Sequence, residues 1–170
     1  KLTPKATLSA RSLKLKVKQK TTAFKITGMA KGDYVKSWKS SDKNIIKVSG
    51  KKNGTCTITA QSKTGTATIT IIFASGLKKT IKVKVQKSTV KTTAISGIAK
   101  KATLKKGKTL KLRPVLTPIT SSEKVTYTSS DTEIAKVSKN GTVTALKPGT
   151  VIITVKSGKL TVTCKITVKK

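Results

Sequence analysis

A chain of 170 residues that sets 38 Lys+Arg against 5 Asp+Glu carries a formal charge of +33 at pH 7, with 35% hydrophobic and only 3% aromatic residues. Histidine is absent, which removes imidazole acid–base chemistry and His metal ligation, and so few carboxylates make a poor cage for a hard cation. No apolar run approaches the roughly 20 residues of a membrane-spanning helix, and the length suits one large or two small domains.

Self-repulsion on this scale opposes compaction and attracts polyanions over long range, so any partner surface is expected to be acidic. The lysines are spread through the chain. Many alternate with apolar residues, as in Leu13-Lys14-Leu15-Lys16-Val17-Lys18 and Ile81-Lys82-Val83-Lys84-Val85. That is the period of half-buried strands with lysine on the wet face. The chain opens on KLTPKATL without a signal peptide, and the expectation is an excerpt of a longer, processed protein.

In chain order, a weak first strand is expected over Ala6 to Ser9, a cleanly alternating one over Leu13 to Val17, and another over Ala23 to Thr27 before Gly28 to Gly32. Val35 to Trp38 forms the next, followed by Ser40-Ser41-Asp42, a turn whose short oxygen-bearing side chains can bond backbone amides just ahead. Ile45 to Val48 precede a lysine-rich loop ending in Asn53-Gly54, the dipeptide that best tolerates positive φ in a tight hairpin. Thr55 to Ala60, Thr66 to Phe73 and Thr80 to Gln86 complete the unit, and the glycine-free Lys87 to Thr93 reads as a short linker.

The second half repeats this order. Trp38 stands 89 residues before Tyr127, Ser40 before Ser129, Val48 before Val137, and Lys18 before Gly107. The offset falls to 87 at Asn53-Gly54 against Asn140-Gly141, 84 at Gly65 against Gly149, and 83 at Val85 against Val168. Indels confined to turns are the mark of a duplicated folded unit. Neither copy has an apolar period near 3.6, and both abound in Thr, Val and Ile, so the fold expected is all-β. Trp38 and Tyr127 supply a large central side chain of the kind a two-sheet core accommodates, which favours sandwiches over barrels.

The second copy reads Leu104-Lys105-Lys106-Gly107, Tyr127-Thr128-Ser129-Ser130-Asp131, Ile134-Ala135-Lys136-Val137, Asn140-Gly141-Thr142-Val143-Thr144-Ala145 and Pro148-Gly149-Thr150. With this motif order it closely resembles the bacterial immunoglobulin-like domain of group 2, over nearly all of Thr93 to Val168. The first copy looks like a divergent member through Trp38-Lys39-Ser40-Ser41-Asp42, Ile45-Ile46-Lys47-Val48 and Asn53-Gly54-Thr55, with Lys18 in place of Gly107 and no Pro-Gly before its late strand. The resemblance implies two tandem immunoglobulin-like β-sandwich domains, 1–88 and 89–170. It implies modules of bacterial cell-surface or secreted proteins such as intimin-like and invasin-like adhesins, and no catalytic residues.

Weighed one by one, the other candidates read as structure. Trp38 and Tyr127 could serve as carbohydrate platforms, but at equivalent positions before the same turn they are read as core. Asp42 and Asp131 are read as turn caps in preference to calcium ligands, with Asp131 and Glu133 the pair a calcium site would need. Cys56 and Cys164, in alternating strands of separate copies, are read as buried free thiols and not as a disulfide. A lysine isopeptide crosslink would need a buried lysine, and these lysines fall on outward positions. No metal and no cofactor are expected.

The lysine rows remain. An immunoglobulin-like arrangement would lay the strand of Lys14, Lys16 and Lys18 beside that of Lys82 and Lys84, and like charges on neighbouring strands destabilise a sheet unless they splay into solvent or hold an anion. The leading expectation is a non-catalytic spacer or stalk, adhesive in some settings, in an extracellular bacterial surface, wall-bound or secreted protein; a spacer predicts no discrete pocket. The alternative is a polyanion-binding module whose lysine faces meet a cell-wall teichoic acid or acidic glycan. The expected partners are that anionic polymer and the other domains of a larger parent protein. The chain is expected to be monomeric, with no membrane insertion and no specific nucleic acid, because aromatics interleaved with the basic residues are missing.

Overall fold

The computed structural model describes residues 3–170, and every regular element in that range is a strand. The chain divides into two compact units, one running to Val90 and including Pro118–Ser122, the other made of Lys91–Thr117 and Glu123–Lys170.

In the first unit the strands are β1 (Thr7–Leu8), β2 (Ser12–Lys16), β3 (Lys20–Thr21), β4 (Ile26–Thr27), β5 (Val35–Ser40), β6 (Ile46–Gly50), β7 (Cys56–Ala60), β8 (Gly65–Phe73) and β9 (Lys78–Gln86). One sheet has the order β2-β9-β8-β5 and the facing sheet β3-β7-β6, with β1 and β4 paired beside it and a Lys25–Thr55 bridge joining the β4 and β7 ends. The period-two sequence dictates the core. Leu13, Leu15, Ile69, Ile71, Phe73, Ile81, Val83 and Val85 point in from the first sheet and meet Phe24, Ile46, Ile58 and Ala60 from the other side. Each such aliphatic side chain taken fully out of water contributes about 1.5–3 kcal/mol.

The second unit repeats the plan with β10 (Ala94–Ser96), β11 (Lys101–Lys105), β12 (Thr109–Lys111), β13 (Val115–Thr117), β14 (Val125–Ser129), β15 (Ala135–Val137), β16 (Thr142–Ala145), β17 (Gly149–Ser157) and β18 (Leu160–Lys169). Its sheets are β11-β18-β17-β14 and β12-β16-β15, with β10 paired to β13. Strand register confirms the duplication read from the offsets: Leu15 lies opposite Val85 as Leu104 lies opposite Val168. Likewise Trp38 faces Ile71 as Tyr127 faces Val155.

In both units the four-stranded sheet is closed by a parallel pair, β2 with β9 and β11 with β18. A parallel neighbour means that the first strand of this sheet enters at one end and the last leaves at the other. The turns match as well. Asp42 Oδ1 accepts the Asn44 N–H at 2.8 Å, Asp131 Oδ1 accepts the Glu133 N–H at 2.8 Å, and the hydroxyls of Ser40 and Ser129 donate to the carbonyls of those aspartates. Both Asn-Gly turns use a left-handed glycine, Gly54 at φ +85° and Gly141 at φ +76°.

One local expectation changes. The strand expected over Ala23 to Thr27 shrinks to Ile26–Thr27, and Lys20–Thr21 forms an unanticipated strand against β7. Two residues are too few to show a period. The segment Lys87 to Thr93, read as a short linker of limited slack, is held by specific contacts: Val90 is buried and its N–H donates to Ser122 Oγ at 2.9 Å. Thr92 is buried too, with its hydroxyl 2.7 Å from that of Ser157. Polar composition hides such anchoring, because threonine and serine satisfy each other inside a protein as well as in water.

Candidate functional site

The lysine row on β2 and β9 arises because alternation sends Leu13, Leu15, Ile81, Val83 and Val85 inward and the residues between them outward. Parallel register then sets Lys14 directly opposite Lys84 and Ser12 opposite Lys82, while Lys16 faces Gln86. On the other side of β9, Thr66 faces Lys84 and Thr68 faces Lys82. All four of these lysines are exposed. Lys18 is set apart: it lies past the end of β2 in a turn, at φ +63°. The structure thus brings Lys14, Lys82 and Lys84 together, places Lys16 at the end of the row, and leaves Lys18 outside it.

A second basic feature lies in the same unit, where the β3-β7-β6 sheet meets the β5 edge of the first sheet. A cleft of about 790 Å³ is lined by Lys20, Lys39, Lys43 and Lys47, by Ser40, Ser49, Thr57 and Thr59, and by Trp38 with Val48. Register builds its floor. Lys20 on β3 and Lys47 on β6 both lie opposite Thr59 on β7, so one rung reads Lys-Thr-Lys. The next rung pairs Ser49 with Thr57. Sequence reading missed this cleft because Lys20 and Lys47 are brought to one rung only by pairing through β7. The usable signal was a comparison of the two copies at each lysine.

Trp38 forms the wall where β5 meets β6. Its ring stands edge-to-face with Phe24, centroids 6.4 Å apart and planes at 86°, and it covers Gly50, where a Cβ would overlap the indole. The indole Nε1 is buried without a hydrogen-bond partner among the described residues. Tyr127 occupies the equivalent place against Gly141, where a Cβ would fall 2.7 Å from its Cζ. The reading of both aromatics as core holds, with each ring partly exposed at its margin.

Cys56 and Cys164 are free and buried, each in its own core. Burial pushes the Cys56 thiol up to about 11 and raises that of Cys164, so neither is a thiolate near neutral pH. The carboxylates serve the loops. The Ser75 hydroxyl donates to Asp33 Oδ2 at 2.7 Å and holds Asp33 below the usual carboxylate range. The Asn44 amide does the same for Asp42, which also pairs with Lys63 at 3.4 Å.

Two four-stranded sheets, each closed by a parallel pair and each facing a three-stranded sheet, define tandem immunoglobulin-like β-sandwiches. Residues 89–168 match the family described as bacterial Ig-like domain (group 2). Among solved structures, domains 5–6 of the S-layer protein SbsC are similar at 20% identity and a TM-score of 0.47, with 99% of this chain and 98% of that one covered. The longer S-layer protein rSbsC(31-844) is similar at 21% identity and a TM-score of 0.41, covering 86% of this chain and 23% of that one. A bacterial Ig-like domain containing GH10 xylanase from termite gut is similar at 29% identity and a TM-score of 0.34, over 40% of this chain and 18% of that one. The chain therefore spans less than a quarter of the length of the last two proteins. No curated protein sequence matches.

Proposed function

We propose that this chain is a two-sandwich spacer segment of a longer bacterial surface or secreted protein, working outside the cell to hold other domains away from their anchor. The observation that carries this reading is the parallel pairing that closes each unit. With β2 beside β9 and β11 beside β18, the chain enters one end of each sheet and leaves at the other, as units threaded along a stalk require. The match of residues 89–168 to the bacterial Ig-like domain (group 2) supports it. The test is made in the producing bacterium: residues 1–170 are deleted, or replaced in frame by two unrelated sandwiches of similar length, and antibody access to a tag beyond the segment is measured. Spacing predicts loss of access on deletion and recovery on replacement. Failure of the unrelated sandwiches to restore access overturns it.

A second reading, a polyanion-binding face, is favoured by the single observation that Lys14 stands opposite Lys84 with Lys82 next along the strand. Such a face holds teichoic acid or an acidic glycan in place of the counterions that otherwise relieve the repulsion. Binding of the whole chain to wall teichoic acid, heparin and DNA across a salt series tests it. Preference for one polymer that survives physiological salt and is lost when Lys14, Lys82 and Lys84 become Ser supports the face. Equal binding to all three that fades with salt refutes it.

A further inference from the structure

We propose that the cleft on the β3-β7-β6 side of the first unit is a binding site for a short stretch of acidic oligosaccharide, with Lys20, Lys39, Lys43 and Lys47 meeting its anionic groups. This inference rests on neither reading above: a spacer predicts no cleft, and Lys20 and Lys47 lie on the sheet facing the β2–β9 lysine row, while Lys39 sits on β5, at the opposite edge of the row's sheet from β2.

The two copies of the fold supply the first argument. At the 89-residue offset, Lys20, Lys39 and Lys43 correspond to Thr109, Thr128 and Thr132, and only Lys47 keeps its charge, as Lys136. The pairing confirms the equivalence on the sheets: Thr109 and Lys136 both lie opposite Thr144, as Lys20 and Lys47 lie opposite Thr59, and Thr128 lies opposite Thr154 as Lys39 lies opposite Thr70. The sandwich thus folds with threonine at three of the four positions, so three of the cleft's charges are additions to the fold and not requirements of it. Beside Lys43, moreover, the first unit has neutral Asn44 where the second has Glu133.

The second argument is electrostatic. None of the four lysines is ion-paired among the described residues, and no carboxylate lines the cleft. Four ammonium groups around one concavity reinforce each other's field and focus it on whatever enters, which favours an anion over a neutral ligand.

Size and lining narrow the ligand. A volume of about 790 Å³ falls in the range of small-molecule sites and far exceeds one inorganic ion. Ser49, Thr57 and Thr59 line the cleft together with the lysines, Thr59 lying between Lys20 and Lys47 on one rung, a mix of residue types that suits a ligand carrying both hydroxyl and anionic groups along its length. A nucleic acid would want open ring faces for base stacking. The one aromatic here is set edge-to-face with Phe24 and covered by Gly50.

Trp38 lines the cleft and is the chain's single tryptophan, so its emission reports occupancy of this site and not of the β2–β9 row. The whole 170-residue chain is titrated with tetragalacturonate and with a heparin tetrasaccharide at physiological salt, about 0.15 M, with cellotetraose as neutral control and tetrathymidylate as nucleic-acid control. The expected result is a saturable change in Trp38 emission with at least one acidic sugar and none with cellotetraose. Lys20→Thr, Lys39→Thr and Lys43→Thr together should weaken binding tenfold or more. These residues already occupy the equivalent sites of the second unit, and an unchanged far-ultraviolet spectrum verifies folding. Arg at the same three positions should retain binding, and Lys14→Ser with Lys82→Ser and Lys84→Ser should leave the emission change intact. No saturable change with either acidic sugar, an unaffected threonine variant, or equally tight binding of tetrathymidylate overturns the proposal.

Discussion

Lys18 is the one non-glycine residue among those described that holds a positive φ, +63°, and its counterpart Gly107 sits at +81°. A side chain in the left-handed region costs roughly 1 kcal/mol or more. Lys18→Gly should therefore raise stability by up to about 1 kcal/mol, offset in part by the freer unfolded chain, and urea midpoints of the two proteins measure it. The offset of 89 made the equivalence of these two positions legible, but not that lysine adopts the glycine conformation, since nothing local to Lys18 announces it. Trp38 and Tyr127 were legible as core from their place before the Ser-Ser-Asp turn. Their glycine partners were not, because Trp38 reaches the end of β6 while Tyr127 reaches the Asn-Gly turn, a choice set by loop length. Gly50→Ala should cost about 1–3 kcal/mol by forcing the indole off its seat, with Trp38 emission shifting in the native state. Asp33 carries a pH dependence. Its folded pKa lies below 3.8 because Ser75 hydrogen-bonds the ionised form, so the stability it contributes is present above about pH 4 and disappears as pH falls through the lowered value. Urea midpoints from pH 6 down to 2 should fall faster for the parent than for Asp33→Asn.

Strands are where the sequence was most readable. Period two named the buried set of β9 in advance: with Lys82 and Lys84 on the wet face, Ile81, Val83 and Val85 point inward, and a one-residue slip would send them into water. The immunoglobulin-like resemblance implied that the Lys14 and Lys84 strands would be neighbours, though the opposition of these two residues depends on a parallel register that no single strand encodes. The β3-β7-β6 cleft was illegible for the same reason: β3 has two residues, and its rung exists only through β7. Like charges across a pair repel, so Lys84→Glu, facing Lys14, should stabilise by about 0.2–1 kcal/mol at low salt, with the gain shrinking as salt rises. Urea unfolding at two ionic strengths checks both halves of that statement.

For the whole molecule, +33 on 170 residues is the dominant long-range term. The fold tolerates it because lysines alternate outward and their stems lie along the sheet while the ammonium groups stay in water. The composition made that charge plain, and the repeat made the duplication plain. Anchoring of Val90 and Thr92 was hidden, because it depends on residues some 30 to 65 positions away, Ser122 and Ser157. Screening should help this protein more than a neutral one. Raising ionic strength from about 0.01 to 0.1 M shortens the Debye length from about 30 to 10 Å, and the thermal midpoint should climb over that interval. A flat or falling midpoint would show that the charges are too well solvated to matter.

The parallel pair that closes each sheet also decides how the chain bears load. Pulled from its two ends, the first unit would strain the β2–β9 ladder, Ser12 through Lys16 against Lys82 through Gln86, along the strand direction, so that its rungs carry tension together. The second unit repeats the arrangement from Lys101 to Lys105 against Lys165 to Lys169. An antiparallel pair at the same place would peel open one hydrogen bond at a time. Each sandwich here is instead latched by a clasp loaded in shear, giving way in a single step under traction.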